Sequence, residues 1–330
     1  MLKFKTIMLA AGLALSLAVP SRADLARAVE TQILPGFADF TATAATLAET
    51  AKGSCDPAAI RPAYDAAFDA WLQVAHLRLG PGETMILSIA FWPDTRGATP
   101  RALDQMIADQ DPVGTDPTEY AQVSAAARGF FALEALVFDP EPQGDAAYRC
   151  ALTATVAADL ARQAAKLDQD WRDGFATVLT TAGQPGNAVY LAPEEAVRAL
   201  YTQLLAGLEF TEDQRLGRPL DSFDMPHPRR AEAWRSGRSL PNIRASLRAE
   251  RALALALADG PIPATEAAFD AAGRAADVVV DPGLQDIADA QAWFRADVLR
   301  QRVQAIRQAV AAELGAQLGV SAGFNSADGD

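Results

Sequence analysis

The sequence predicts an all-α protein built as tandem helical bundles, two four-helix-bundle-like halves in one chain. Three observations lead there. Ala, Leu, Arg, Gln and Glu dominate the chain, and these are strong helix formers. A polar residue followed by proline recurs at Asp56-Pro57, Thr99-Pro100, Asp116-Pro117 and Asp281-Pro282, a pairing that caps free N–H groups and places proline where its missing donor costs little. No stretch alternates apolar and polar residues over strand length, and Val278-Val279-Val280 is too short to be a strand.

Taken in order, the pattern gives helices over 24–52, with a kink near Pro35, and over 57–79, 100–109, 117–138 and 145–182. The second helix is the clearest. Ile60, Tyr64, Phe68, Trp71, Leu72, Ala75 and Leu79 recur every three or four positions and mark one buried stripe. The run Gly183-Gln184-Pro185-Gly186-Asn187 then breaks the pattern and divides the chain into an N-terminal bundle, 24–182, and a C-terminal bundle, 188–318. The second half carries helices over 193–212, 239–258, 263–278 and 282–318, the last with Val298, Val303, Ile306 and Val310 as its stripe. Two long loops, near 80–99 and 216–237, interrupt the helices, and loops that hold aromatics and charges are where function concentrates.

Composition excludes several classes. Half of the 330 residues are hydrophobic, so the chain is neither disordered nor of low complexity. With 29 Lys+Arg against 42 Asp+Glu the formal charge is −13, which repels phosphate backbones and argues against a nucleic-acid partner. Residues 1–23 read as a secretory signal peptide: Lys3 and Lys5, an apolar run from Ile7 to Val19, then Ser21-Arg22-Ala23 as a cleavage site. Its removal leaves a charge of −16, and no later stretch is apolar enough to span a bilayer. The product is expected to be exported to the periplasm or cell envelope. Cys55 and Cys150, the two cysteines, are then a candidate disulfide.

Glu134 lies in the apolar run Ala127-Arg-Gly-Phe-Phe-Ala-Leu-Glu-Ala-Leu-Val-Phe138. A buried carboxylate needs a partner, either an arginine from the neighbouring bundle or a ligand, and Gly129 one turn earlier leaves room for close approach. His76, beside Arg78, is either a helix-terminal histidine favoured by the macrodipole or a contributor near Glu134. His227, between two prolines, reads as a solvated loop residue. Arg229, Arg230, Arg235 and Arg238 form a local positive patch suited to an anionic ligand through forked hydrogen bonds, or to the interface between bundles. Trp71 and Trp92 read as core.

Gly129-x-Phe131-x-x-Glu134 resembles the Gly-x-His-x-x-Glu motif of the imelysin-like proteins, a family that includes insulin-cleaving metalloproteinase homologues and the iron-regulated protein A group. Trp71 followed by Gly80-Pro81, the segment Ile89-Ala-Phe-Trp-Pro93, and Trp234-Arg-Ser-Gly-Arg-Ser239-Leu-Pro-Asn-Ile243 with its Ser-x-x-Ser-Leu pattern resemble the family in the same order. The resemblance implies two helical bundles in a periplasmic or envelope protein associated with iron uptake. It also implies metal ligands at the motif His and Glu. Here Phe131 stands at the His position, and a phenyl ring has no lone pair to donate. Glu134 remains as a candidate oxygen ligand for a metal ion, iron or another divalent, if other carboxylates converge on it. No His-Glu-x-x-His protease motif is present. The expected function is a non-enzymatic binding or accessory component that works with the iron- or metal-uptake machinery of the envelope. The alternatives are a metallopeptidase of the imelysin type and a purely structural envelope protein.

Overall fold

The computed structural model describes residues 22–321. The expected leader, residues 1–23, lies outside them except for its last two residues, which open the first helix. The described residues are all-helical, and none forms a strand.

Helix α1 (residues 22–53) runs through Pro35 without a break, because a π-turn at Val29–Ile33 absorbs the irregularity just ahead of it. Helix α2 (Pro57–Leu72) is capped by Asp56, whose carboxylate accepts from the Ala58 N–H at 2.9 Å. Its buried face is the predicted stripe, Ile60, Tyr64, Phe68, Trp71 and Leu72. The helix stops seven residues earlier than the periodicity suggests. From Gln73 the backbone tightens into turns, Gln73 and Val74 N–H donating to the Ala70 and Trp71 carbonyls and the Arg78 N–H reaching Gln203 Oε1 at 2.9 Å, so His76 sits in a turn and the helix-terminal reading does not apply to it.

Residues 80–99 hold a two-turn helix, α3 (Gly82–Ile89), where a loop was expected, and α4 (Ala98–Asp109) follows. Asp94, and not Thr99, caps α4 by accepting from the Ala98 and Thr99 N–H groups at 2.9 and 2.8 Å. The helix expected over 117–138 divides into short 3₁₀ turns, Glu119–Gln122 and Ala125–Ala127, and then α5 (Gly129–Val137). Gly129 forces the division. Its φ is +68°, and a Cβ there would stand 2.0 Å from the Ile89 carbonyl oxygen, so the chain leaves helical geometry at this point.

Helix α6 (residues 146–180) is capped by Asp145. In the second half, α7 (residues 193–220) continues through a π-turn at Phe210–Gly217 well past its expected end at 212. This converts the start of the expected 216–237 loop into helix and fixes Arg215 and Arg218. Helices α8 (Ser239–Leu257) and α9 (Pro263–Asp277) stand close to their expected bounds. Helix α10 (residues 290–318) begins eight residues late. Asp281 closes a turn by accepting from the Gly283 and Gln285 N–H groups, and Asp289 supplies the cap instead.

Helix α1 packs on α2 and α6, α5 on α6, α9 on α10, and α7 on α8 and α10. Helix α8 also packs against α1 and α2. The buried apolar side chains join into one cluster from Leu25 to Leu314. Phe130 stacks on Phe68 at 4.3 Å within it, with Tyr64 edge-on to both. Cys55 and Cys150 are bonded as a disulfide, with Cα atoms 5.2 Å apart. The bond ties the α1–α2 turn to the first turns of α6.

Candidate functional site

The segment 231–239 carries the Ser-x-x-Ser pattern and closes over the end of α5. Glu134 is buried, and its Oε1 accepts both the amide N–H (2.9 Å) and the hydroxyl (2.8 Å) of Ser236. Among the described residues no arginine pairs with Glu134 within 4 Å; serine supplies the partner, and Arg235 acts as a nearby positive charge. Burial pushes the Glu134 carboxyl above its ordinary range, while the Ser236 bonds and Arg235 pull it back and Glu232 adds to the rise.

Phe131 and Glu134 open onto a cleft of about 430 Å³. Trp92, held by a cis Trp92–Pro93 peptide, lines it and stacks on Phe131 at 6.4 Å. Trp92, expected in the core, is therefore half-buried and lines the site, whereas Trp71 is core. Trp234 also lines it, with Arg229 and Arg235 over its ring at 5.8 and 4.5 Å. Arg218 and Arg230 complete the lining. Arg230 pairs with Asp221 at 3.3 Å, and His227 lies 3.2 Å from the same carboxylate.

The distribution of charge partners in this cleft is uneven. Three carboxylates line it, and backbone N–H groups occupy each: Ala98 and Thr99 on Asp94, Glu141 on Asp139, Ser236 on Glu134. Arg218 Nε is buried and meets no acceptor. Burial lowers the Arg218 pKa, and Arg230 lowers it further. Of the sequence candidates, the structure brings Phe131, Glu134 and Arg235 to this cleft, with Gly129 shaping the approach beneath. Arg238 and Ser239 face inward. The Arg238 guanidinium binds Asp65, Asp69 and Asn242 and lies over Phe68, and Ser239 donates to the Glu232 carbonyl at 2.6 Å. His76 lies in a separate cavity.

The motif position does not suit a resident metal. The phenyl ring of Phe131 packs on Trp92, one Glu134 oxygen is taken by Ser236, and no group of three His, Cys, Asp or Glu among the described residues could hold an ion. Arg218 and the buried Glu250 were not singled out from the sequence. Arg218 reads as an ordinary Arg-Pro step, and Glu250 as one charge in Arg248-Ala-Glu-Arg251.

Fold and site together define an all-helical protein with a cationic, aromatic-walled cleft beneath the α5 motif. The chain belongs to the imelysin family, whose model matches residues 33–330. Among solved structures it is similar to an imelysin-like protein from Psychrobacter arcticum, with a TM-score of 0.75 and 18% identity over 92% of this chain and 96% of that one. It is also similar to a protein described as an iron-regulated protein A precursor from Parabacteroides distasonis, with a TM-score of 0.68 and 16% identity over 89% and 97%. At these identities the likeness is one of fold. No curated protein matches the chain. No helix among the described residues is long and apolar enough to cross a membrane.

Proposed function

We propose that the protein is an exported, non-enzymatic binding or accessory component of the cell envelope that serves iron acquisition, with an anionic ligand held in the cleft between Trp92 and Trp234. The observation that carries this reading is the buried, unpartnered Nε of Arg218 in a cleft that three further arginines line, Arg230 paired with Asp221 and Arg229 and Arg235 lying over Trp234. A guanidinium in that state gains a charge-assisted, forked hydrogen bond from an entering carboxylate or phosphate. Ferric ions travel as negatively charged complexes with oxyanionic chelators, so a cationic cleft is compatible with the iron-related name of one structural neighbour. The leader expected from the sequence and the Cys55–Cys150 disulfide support export.

Calorimetric titration with citrate and with ferric citrate tests the reading. Binding of either, weakened about tenfold by Arg218→Gln in keeping with the loss of one charged hydrogen bond, supports it. Binding of neither, or equal binding by the variant, overturns it. Fractionation of cells that express the full chain tests export, with recovery in the cytoplasm as the contrary result.

A further inference from the structure

A second cavity, of about 290 Å³, lies behind the aromatic wall of the cleft. Phe210 separates the two. It meets Trp92 edge-on at 5.7 Å on one side and carries the guanidinium groups of Arg78 and Arg215 at 4.5 and 4.9 Å. His76 and Glu250 line this cavity from the α2 turn and from α8. Both are more than nine-tenths buried, and neither ring nitrogen of His76 nor either oxygen of Glu250 has a hydrogen-bond partner. Four unmet polar atoms in one place carry a substantial desolvation cost. Gly207 on α7 keeps the space open: a Cβ there would lie 2.7 Å from Glu250 Oε1 and 2.8 Å from His76 Cβ.

The surrounding charges select the ligand. Arg215 is committed to Glu232 at 2.7 Å, and Glu209 to Arg307. Among the described residues Arg78 forms no ion pair within 4 Å; its guanidinium lies over the Phe210 ring, with Glu232 a more distant negative charge. Two guanidinium groups beside the histidine disfavour a metal cation, and although Glu209 and Asp213 also line the cavity, no three His, Cys, Asp or Glu side chains among the described residues converge to hold one. An anion is favoured by the same charges. Glu250 is displaced toward the neutral acid and His76 toward the neutral imidazole, so each has an O–H or N–H to donate.

The geometry points to a second binding site, distinct from the cleft, in which Arg78, His76 and Glu250 receive the carboxylate of a small organic acid over Gly207. Because the cleft is also cationic, the test uses protein in which Arg218→Gln and Arg235→Gln have weakened the first site. Succinate titrated into this background is expected to bind, and Arg78→Gln and Gly207→Ala are each expected to weaken that binding about tenfold or more, as loss of a charged contact or of the space requires. Glu250→Gln, which retains an N–H donor, is expected to leave it within a few-fold. Arg78 is only partly buried, so its variant is expected to fold and report even if Gly207→Ala does not. Absence of succinate binding, or binding indifferent to Arg78→Gln, overturns the proposal. So does zinc binding that Glu250→Gln abolishes, since that outcome assigns the site to a cation.

Discussion

Ser236 presents its amide N–H and its hydroxyl to a single oxygen of Glu134, across 102 positions of the chain. The contact joins the α5 motif to the Ser-x-x-Ser segment and thereby forms one wall of the cleft. Glu134→Ala would leave the partly buried Ser236 N–H without its acceptor, while the hydroxyl keeps the Ala233 carbonyl at 3.0 Å, at a cost of about 1–3 kcal/mol. Ser236→Ala keeps the amide bond and removes the hydroxyl shared between Glu134 and the Ala233 carbonyl, and should cost about 1 kcal/mol. Urea unfolding of the two variants checks the ordering, and equal losses would show that the amide contact contributes nothing.

The disulfide should contribute substantially to stability. Cys55 and Cys150 enclose 95 positions of sequence, and the loop-entropy account assigns a closure of that length roughly 4–5 kcal/mol, of which proteins commonly realise about 2–4. The double variant Cys55→Ser, Cys150→Ser is expected to unfold at lower temperature by calorimetry. Wild type in reductant should approach the same value, and an unchanged midpoint in both would contradict the expectation.

Features set by short-range pattern were legible in the sequence. The α2 stripe from Ile60 to Leu72, the Asp56 cap and the exceptional burial of Glu134 all follow from spacing and from one charge in an apolar run. Features set by distant contacts were not. The break at Gly129 depends on the Ile89 carbonyl that presses against it. The turns that follow α2 are held in part by Gln203 of α7, whose side chain accepts from the Arg78 N–H. Glu250 looks like a solvated charge between Arg248 and Arg251 until Gly207 and His76 are placed against it. Arg218 became part of the cleft because a π-turn carried α7 farther than its periodicity implied.

His76 and Glu250 should also leave a signature in the pH dependence of stability. Burial lowers the His76 pKa from 6.5 to about 4, with Arg215 adding to the shift. Burial raises the Glu250 pKa from 4.5 to about 8, against the pull of Arg215. Between about pH 4 and 6.5 the unfolded chain holds a proton on His76 that the native state lacks, so that term makes stability rise with pH. Between about pH 4.5 and 8 the native state holds a proton on Glu250 that the unfolded chain has released, so that term makes stability fall with pH. The two oppose each other up to about pH 6.5, and above it only the Glu250 term remains. Wild type should therefore lose stability relative to Glu250→Gln between about pH 6.5 and 8, by at most about 1.4 kcal/mol per pH unit for a single proton. His76→Phe should retain that loss and differ from wild type only in the acid range. Urea midpoints for the three proteins across this interval decide the matter, because groups elsewhere in the chain titrate equally in all of them. Parallel curves for wild type and Glu250→Gln above pH 6.5 would mean that Glu250 is ionised in the folded protein.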